Sequence, residues 1–263
     1  MKDLKFQLLV AALNNNIDSL INSMGIESDA IIINQCDEDK EEVTLVSEKT
    51  VKTIYQSGRS VGLSRNTAID NAKADIVLFS DEDICYYQGY ENKVLDAFAS
   101  HADADVITFN VEVDERRRTY FNEDVHRITW KNYGRYPAYA IAVRLDAINK
   151  YNIRFSTLFG GGAKYSNGED SLFLHDCLKA GLNMISETAV LGKETYREST
   201  WFKGYTDKFF FDRGVLYHFL YGAMAAVFGA RFLIKNRNEM LKDISFLKAF
   251  GLLLKGIKEG KSL

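Results

Sequence analysis

The stretch Ala74-Asp75-Ile76-Val77-Leu78-Phe79-Ser80-Asp81-Glu82-Asp83 carries an unbroken apolar run into three consecutive acidic residues. Ile76 to Phe79 has the character of a strand buried on both faces of a parallel sheet. Ligands of open α/β sheets bind beyond the carboxyl ends of the strands, so the acids are expected at the mouth of a site. Asp81 and Asp83 stand two apart, and across a tight turn both carboxylates can converge on one divalent cation. Mg²⁺ or Mn²⁺ held by one or two carboxylates plus phosphate oxygens needs little more than that. A solvated turn is the plainer reading of Asp-x-Asp alone, so the remaining motifs have to decide.

Upstream, Phe6 to Leu13 reads as a first buried strand, followed by the polar turn Asn14-Asn15-Asn16. Ile17, Leu20, Ile21 and Met24 then fall on one face of a helix that Gly25 closes. Asp29 to Ile33 reads as a second strand ending in Asn34-Gln35-Cys36-Asp37, with weaker strands at Val43 to Val46 and Thr50 to Tyr55. Ser57 to Ser64 is a loop and Arg65 to Lys73 a short helix. Downstream, Val94 to Phe98 belongs to a helix, and Asp105 to Val113 and Tyr139 to Val143 read as strands. Phe155 to Gly168 is a glycine-rich loop, and Ser171 to Ala180 a helix stopped by Gly181. Alternating strands and helices imply an α/β fold: a mostly parallel sheet flanked by helices.

The chain has 263 residues, of which 46% are hydrophobic and 26% charged, so it should be globular with a sizeable core. A net charge of −3 argues against a general nucleic-acid binder. Cys36, Cys85 and Cys177 are far apart and read as reduced thiols, and no histidine pair has zinc spacing. The N-terminal residues mix acid and base before the first strand, unlike a signal peptide. Together these suggest a cytoplasmic protein.

Beyond about Trp201 the composition changes. Val215 to Ile234 is almost wholly apolar, interrupted by His218 and Arg231, and twenty residues can span a bilayer. Tyr217, Tyr221 and the glycines weaken that assignment. A stripe of Met240, Ile244, Leu247, Leu254 and Ile257 follows, with lysines opposite. Residues 231–263 hold eight Lys/Arg against three Asp/Glu. A basic amphipathic tail on an acidic protein suggests attachment to an anionic membrane surface. An ordinary helix pair packed on the core, or burial against a second subunit in a homo-oligomer, would satisfy the same pattern. The expected division is residues 1–200 as the catalytic unit and 201–263 as a helical appendage.

Four blocks, taken in order, resemble the family 2 glycosyltransferases of the GT-A (Rossmann-like) fold. They are Leu13-Asn14; Ile31-Ile32-Ile33-Asn34-Gln35-Cys36-Asp37; Gly62-Leu63-Ser64-Arg65-Asn66-Thr67-Ala68 with Ser80-Asp81-Glu82-Asp83; and Phe159-Gly160-Gly161-Gly162-Ala163-Lys164 with Gly168-Glu169-Asp170. The resemblance implies an inverting enzyme moving a sugar from a nucleoside diphosphate, by family habit UDP, to a glycan acceptor. It implies donor contacts from Asn14, Gln35, Asp37, Arg65 and Asp81, a Mn²⁺ or Mg²⁺ ion on Asp81 and Asp83, and Asp170 as catalytic base. With the basic tail, it points to a lipid-linked acceptor, to capsule or exopolysaccharide synthesis, and to a peripheral position on the inner face of the cell membrane.

Each motif residue has a plainer alternative. Arg65 could touch the nucleotide, fix its loop or simply pair with a carboxylate. Asp170, at a helix start, could be an N-cap; as a base it would be ionised near an ordinary pKa of about 4. Glu169 would point elsewhere, toward an acceptor hydroxyl. The glycine loop reads as a mobile lid, with Tyr165 either a sugar contact or a packed aromatic. Two departures stand out. Asn34-Gln35 replaces the acids usual after the second strand, and Lys193 to Thr200 lacks the histidine many relatives carry, so Lys193, Tyr196 or Arg197 would take over phosphate contact. A sugar nucleotidyltransferase is the enzymatic rival, but its basic glycine loop after the first strand is not matched by Asn14-Asn15-Asn16. A non-catalytic membrane scaffold with the same fold is the rival from another class.

Overall fold

The computed structural model describes residues 4–115, 118, 120–195 and 204–263. The chain begins with β1 (Phe6–Leu13), α1 (Ile17–Met24), β2 (Ala30–Gln35), β3 (Lys40–Val46), β4 (Lys49–Gln56) and α2 (Val61–Asn71). It continues through β5 (Ile76–Asp81), β6 (Ile84–Tyr86), α3 (Tyr90–Ser100), β7 (Val106–Glu112), β8 (His126–Arg127) and β9 (Ile141–Arg144). Then come α4 (Leu145–Lys150), α5 (Glu169–Lys179) and β10 (Met184–Glu194). Four helices close it: α6 (Asp207–Tyr221), α7 (Ala225–Lys235), α8 (Arg237–Met240) and α9 (Phe246–Gly260).

The strands form one sheet in the order β3-β4-β2-β1-β5-β9-β7-β10-β6, with β8 paired to β10. β4, β2, β1 and β5 run parallel, as the apolar runs of the sequence imply. β9 lies antiparallel between β5 and β7, so the sheet is mixed on that side. Alternate residues of each strand serve opposite faces. Leu8 and Val10 pack with Leu20, Met24, Tyr90 and Phe98 from α1 and α3. Leu9, Val77 and Phe79 pack with Ala68, Ile69, Ile148 and Phe173 from α2, α4 and α5.

Local signals set the ends of α1. The Asn16 side chain accepts from the Ser19 N–H at 3.0 Å, and Gly25 takes φ 65° at the close. The glycine loop, by contrast, is not the free lid its composition suggests. Phe159 and Tyr165 are buried, and the Tyr165 hydroxyl donates to Glu259 of α9 at 3.0 Å. Val61 N–H donates to the Gly161 carbonyl at 2.9 Å, tying the loop to the start of α2. Tyr165 is therefore packed, not offered to a sugar.

The C-terminal helices pack on this loop and on Leu172 of α5 through Val215, Leu216 and Leu253. The apolar run is long enough by composition to cross a membrane over Asp207–Lys235, yet Gly222, at φ 51°, breaks it into α6 and α7. α6 and α9 meet backbone to backbone. A Cβ built on Gly256 would lie 2.0 Å from the Phe211 carbonyl oxygen, and one on Gly214 would lie 2.1 Å from that of Leu253. The buried face of α9 is Ala249, Leu253, Gly256, Ile257 and Gly260, so Leu247 and Leu254 of the expected apolar stripe face out instead.

Candidate active site

Three elements meet at one side chain. Arg65, on the second turn of α2, is 4% exposed and faces the carboxyl end of β5. One guanidinium nitrogen, Nη2, donates to Asp81 Oδ1 at 2.7 Å; Nη1 donates to Glu169 Oε1 at 3.1 Å and Asp170 Oδ1 at 3.3 Å. The Phe155 ring lies 5.1 Å beneath. Of the roles open to Arg65 from sequence, the structure puts it in the ion-pair network. Glu169 does not point at an acceptor: it is buried on Arg65, and its other oxygen accepts from the Gly168 N–H at 3.1 Å. Gly168 takes φ 116° to turn the chain into α5, and a Cβ at Gly160 would lie 2.7 Å from the Glu169 carboxyl carbon. These two glycines let the loop close onto the buried carboxylate.

Asp83 follows on the turn into β6. That strand pairs antiparallel with the end of β10, setting Ile84 opposite Glu194. Thr195 donates to the Asp83 carbonyl from both its N–H, at 2.7 Å, and its hydroxyl, at 2.8 Å. Burial, then the like charges of Asp81, Glu194 and Glu82, push the Asp83 carboxyl up to about 7. Asp170 is raised well above the ordinary carboxylate range by burial and by Glu169 and Asp81, against the pull of Arg65. The expectation of an unperturbed Asp170 is thus overturned by its burial and then by its acidic neighbours.

The remaining motif residues stand at the carboxyl ends of β1 and β2. Asn14 is exposed at φ 51°, and its N–H donates to the Gln35 carbonyl at 2.9 Å. Gln35 is 8% exposed, while Asp37 is open to solvent and pairs with Arg59 at 3.1 Å. Two residues that sequence reasoning gave no role hold this rim. Glu82 accepts from the Leu13 N–H at 2.7 Å and from the Asn15 side chain. Buried Asn34 exchanges two hydrogen bonds with the Asn15 backbone, at 3.0 and 2.9 Å. Their signal was the polar ending of each apolar run, where an unpaired turn needs partners. Tyr196, Arg197, Trp201 and Phe202 lie outside the described residues.

Two half-buried carboxylates offer the hard oxygen donors that Mg²⁺ or Mn²⁺ prefers. Among the described residues no group of three or more His, Cys, Asp or Glu is set for a metal. Asp81 and Asp83 would therefore be the protein's share of such a site, with phosphate oxygens and water completing it. Beside Asp170 opens a cavity of about 1250 Å³, walled by the 130–137 segment, the start of α5, and α6 and α7.

A central sheet with acids at the carboxyl end of β5, flanked by helices and facing an acidic helix start, matches the GT-A fold. The glycosyl transferase family 2 model matches residues 10–155, more than half of the chain, which therefore belongs to that family of glycosyltransferases. Among solved structures, residues 1–349 of TarS from S. aureus, in complex with UDP-GlcNAc, superpose with a TM-score of 0.66 at 15% identity, over 98% of this chain and 80% of that one. The mannosyltransferase PcManGT from Pyrobaculum calidifontis, in complex with GDP-Man and Mn²⁺, gives 0.55 at 10% identity, over 98% and 87%. At such identities the likeness is one of fold. No curated protein matches the chain by sequence.

Proposed function

We propose that this glycosyltransferase inverts the anomeric centre as it moves a sugar from a nucleoside diphosphate, UDP in particular, to a hydroxyl of a lipid-linked glycan in capsule or exopolysaccharide synthesis. The observation that carries the reading is the Arg65 network, which ties Asp81 to Asp170 through one guanidinium at 2.7 and 3.3 Å. Asn14, Gln35 and Asp37 would hold the nucleotide at the rim, and Asp81 would bear on the donor. Mn²⁺ or Mg²⁺ on Asp81 and Asp83, when bound, would neutralise charge growing on the leaving diphosphate. Asp170 takes the proton of the acceptor hydroxyl as its oxygen bonds the anomeric carbon and the bond to diphosphate breaks. Its raised affinity for protons suits that task better than an ordinary carboxylate. The solved relatives in complex with UDP-GlcNAc or with GDP-Man and Mn²⁺ support a nucleotide-sugar donor.

The test is calorimetric titration of UDP and GDP with and without Mn²⁺. Metal-dependent UDP binding by the wild type, lost in Asp83→Asn, is expected. No binding of either nucleotide in any condition would sink the transferase reading in favour of a scaffold.

The same substitution has a second expected outcome. A folded pKa near 7 against about 4 unfolded means the folded state holds this proton more tightly. Stability is thus greatest at low pH and falls as pH rises from about 4 through 7. In metal-free buffer Asp83→Asn should stabilise the protein by on the order of 2 kcal/mol at pH 8 and much less at pH 5. Urea denaturation at the two pH values checks it, and a variant less stable at pH 8 would refute the assignment.

Residues 201–263 are taken as a helical unit that rests on an anionic membrane at the cytoplasmic face. Leu247 is 81% and Leu254 41% exposed on α9, beside exposed Lys248, Lys255 and Lys258. On α7, Val227 and Ile234 are also exposed, at 58% and 57%. Apolar side chains ringed by lysines suit a headgroup boundary. Co-sedimentation with phosphatidylglycerol vesicles at low salt is expected, and Leu247→Glu with Leu254→Glu should abolish it. Indifference of the wild type to such vesicles would end the membrane reading.

A further inference from the structure

The cavity beside Asp170 has a lopsided charge. Among the described residues lining it, five are basic, Lys131, Arg135, Arg213, Arg231 and Lys235, and Asp170 is the one carboxylate. Lys131, Arg213, Arg231 and Lys235 take part in no ion pair among the described residues. Arg231 and Lys235 stand one turn apart on α7 and so share a face. Basic side chains of a folded surface ordinarily find carboxylates when the chain is acidic overall, as this one is. Here five of them gather around a single carboxylate.

Arg213 sharpens the point. Its guanidinium lies against the rings of Phe209, Tyr217 and Phe232, at 5.3, 6.0 and 5.2 Å. Its Nε is buried with no hydrogen-bond partner. Half-burying an arginine without a counter-charge is costly, and three aromatic faces return only part of that cost. A guanidinium so held keeps donors for an anion that arrives from outside, and its planar fork matches phosphate oxygens.

We propose that this cavity is the acceptor site and that the acceptor carries a phosphate group, held by Arg213, Arg231 and Lys235. The inference rests on Asp170 being the base, because the reacting hydroxyl must reach that carboxylate while the phosphate sits on α6 and α7. Two sources share this chemistry: the diphosphate at the lipid end of a carrier-linked glycan, and a phosphodiester within a polymer. A volume of about 1250 Å³ leaves room for sugar units between phosphate and base.

Trp130 lines the cavity and serves as a native reporter. Its fluorescence is followed while the full chain is titrated with inorganic phosphate, geranyl diphosphate, glycerophosphoglycerol and neutral maltopentaose. Saturable binding of phosphate probes, weakened by added salt, is expected. Arg231→Gln with Lys235→Gln, both on exposed positions, should weaken that binding by about tenfold or more. UDP affinity in the presence of Mn²⁺ should not change in the same variant. Tighter binding of geranyl diphosphate would assign the lipid end; tighter binding of glycerophosphoglycerol would assign a polymer phosphodiester. The proposal is overturned if no phosphate probe binds, if maltopentaose binds as well as they do, or if the double variant leaves phosphate binding intact. A parallel loss of UDP affinity would also overturn it, giving these cations to the donor. Wild-type failure to bind UDP would strike the donor reading separately, since the phosphate titration does not depend on it.

Discussion

Asp170→Asn is expected to lower the turnover number for sugar transfer by about 10³-fold, the scale of losing a positioned general base. UDP affinity should survive, because the amide keeps the volume and can remain beside Arg65, and the proposed nucleotide contacts Asn14 and Gln35 stand at the ends of β1 and β2. The pH profile of the wild type offers a further check. The base works only when ionised, so activity should fall as pH drops below the Asp170 pKa. Burial and its acidic neighbours raise that pKa, which puts the fall well above pH 4. Near-normal turnover by the variant, or a profile flat down to pH 4, would return Asp170 to a helix-start role.

The largest loss of stability is expected from Arg65→Met. The guanidinium is 4% exposed and stands among Asp81, Glu169 and Asp170. Without it, three carboxylates crowd one another in a poorly solvated space, and losing one partner of a buried pair costs about 3–5 kcal/mol. Much of that loss should be recovered on acidification, since protonated carboxyls do not repel. Arg65→Lys should be intermediate, as one ammonium cannot span the fork that reaches both β5 and α5. Urea denaturation at pH 7 and pH 5 separates these outcomes. A Met variant as stable as wild type at pH 7 would show that the network does not hold the elements together.

The parallel half of the sheet was legible because its strands are buried on both faces. Every residue of β2 is buried, so the apolar run speaks for itself. Gly25 also signalled the close of α1 through its own backbone chemistry. β10 was not legible: Ser186, Thr188 and Gly192 interrupt its pattern, and its register with β7 shifts around Val190. The reversed direction of β9 has no local signature either, because it is chosen by neighbours. In the site, the turn holding Asp81 and Asp83 announced itself. Arg65 and Glu169, 104 positions apart, carry no mark of their contact, which is why Glu169 was expected to face an acceptor. The C-terminal stripe misled for a different reason. Its contact face keeps Ile257 but is otherwise Leu253 with Ala249, Gly256 and Gly260, small residues whose value is to let backbones approach, and hydropathy does not register that.

The two walls of the site come from different stretches of chain. Residues 10–83 carry the ends of β1, β2 and β5 proposed to hold the nucleotide, the 130–137 segment with α5, α6 and α7 walls the cavity beside Asp170, and Arg65 joins Asp81 to Glu169 and Asp170. A binding pocket divided this way can be re-specified one half at a time. Chimeras that graft the later segments of one family member onto the earlier segments of another should inherit the acceptor of the first and the donor of the second. The condition is that the graft keeps the arginine and its three acids at the join.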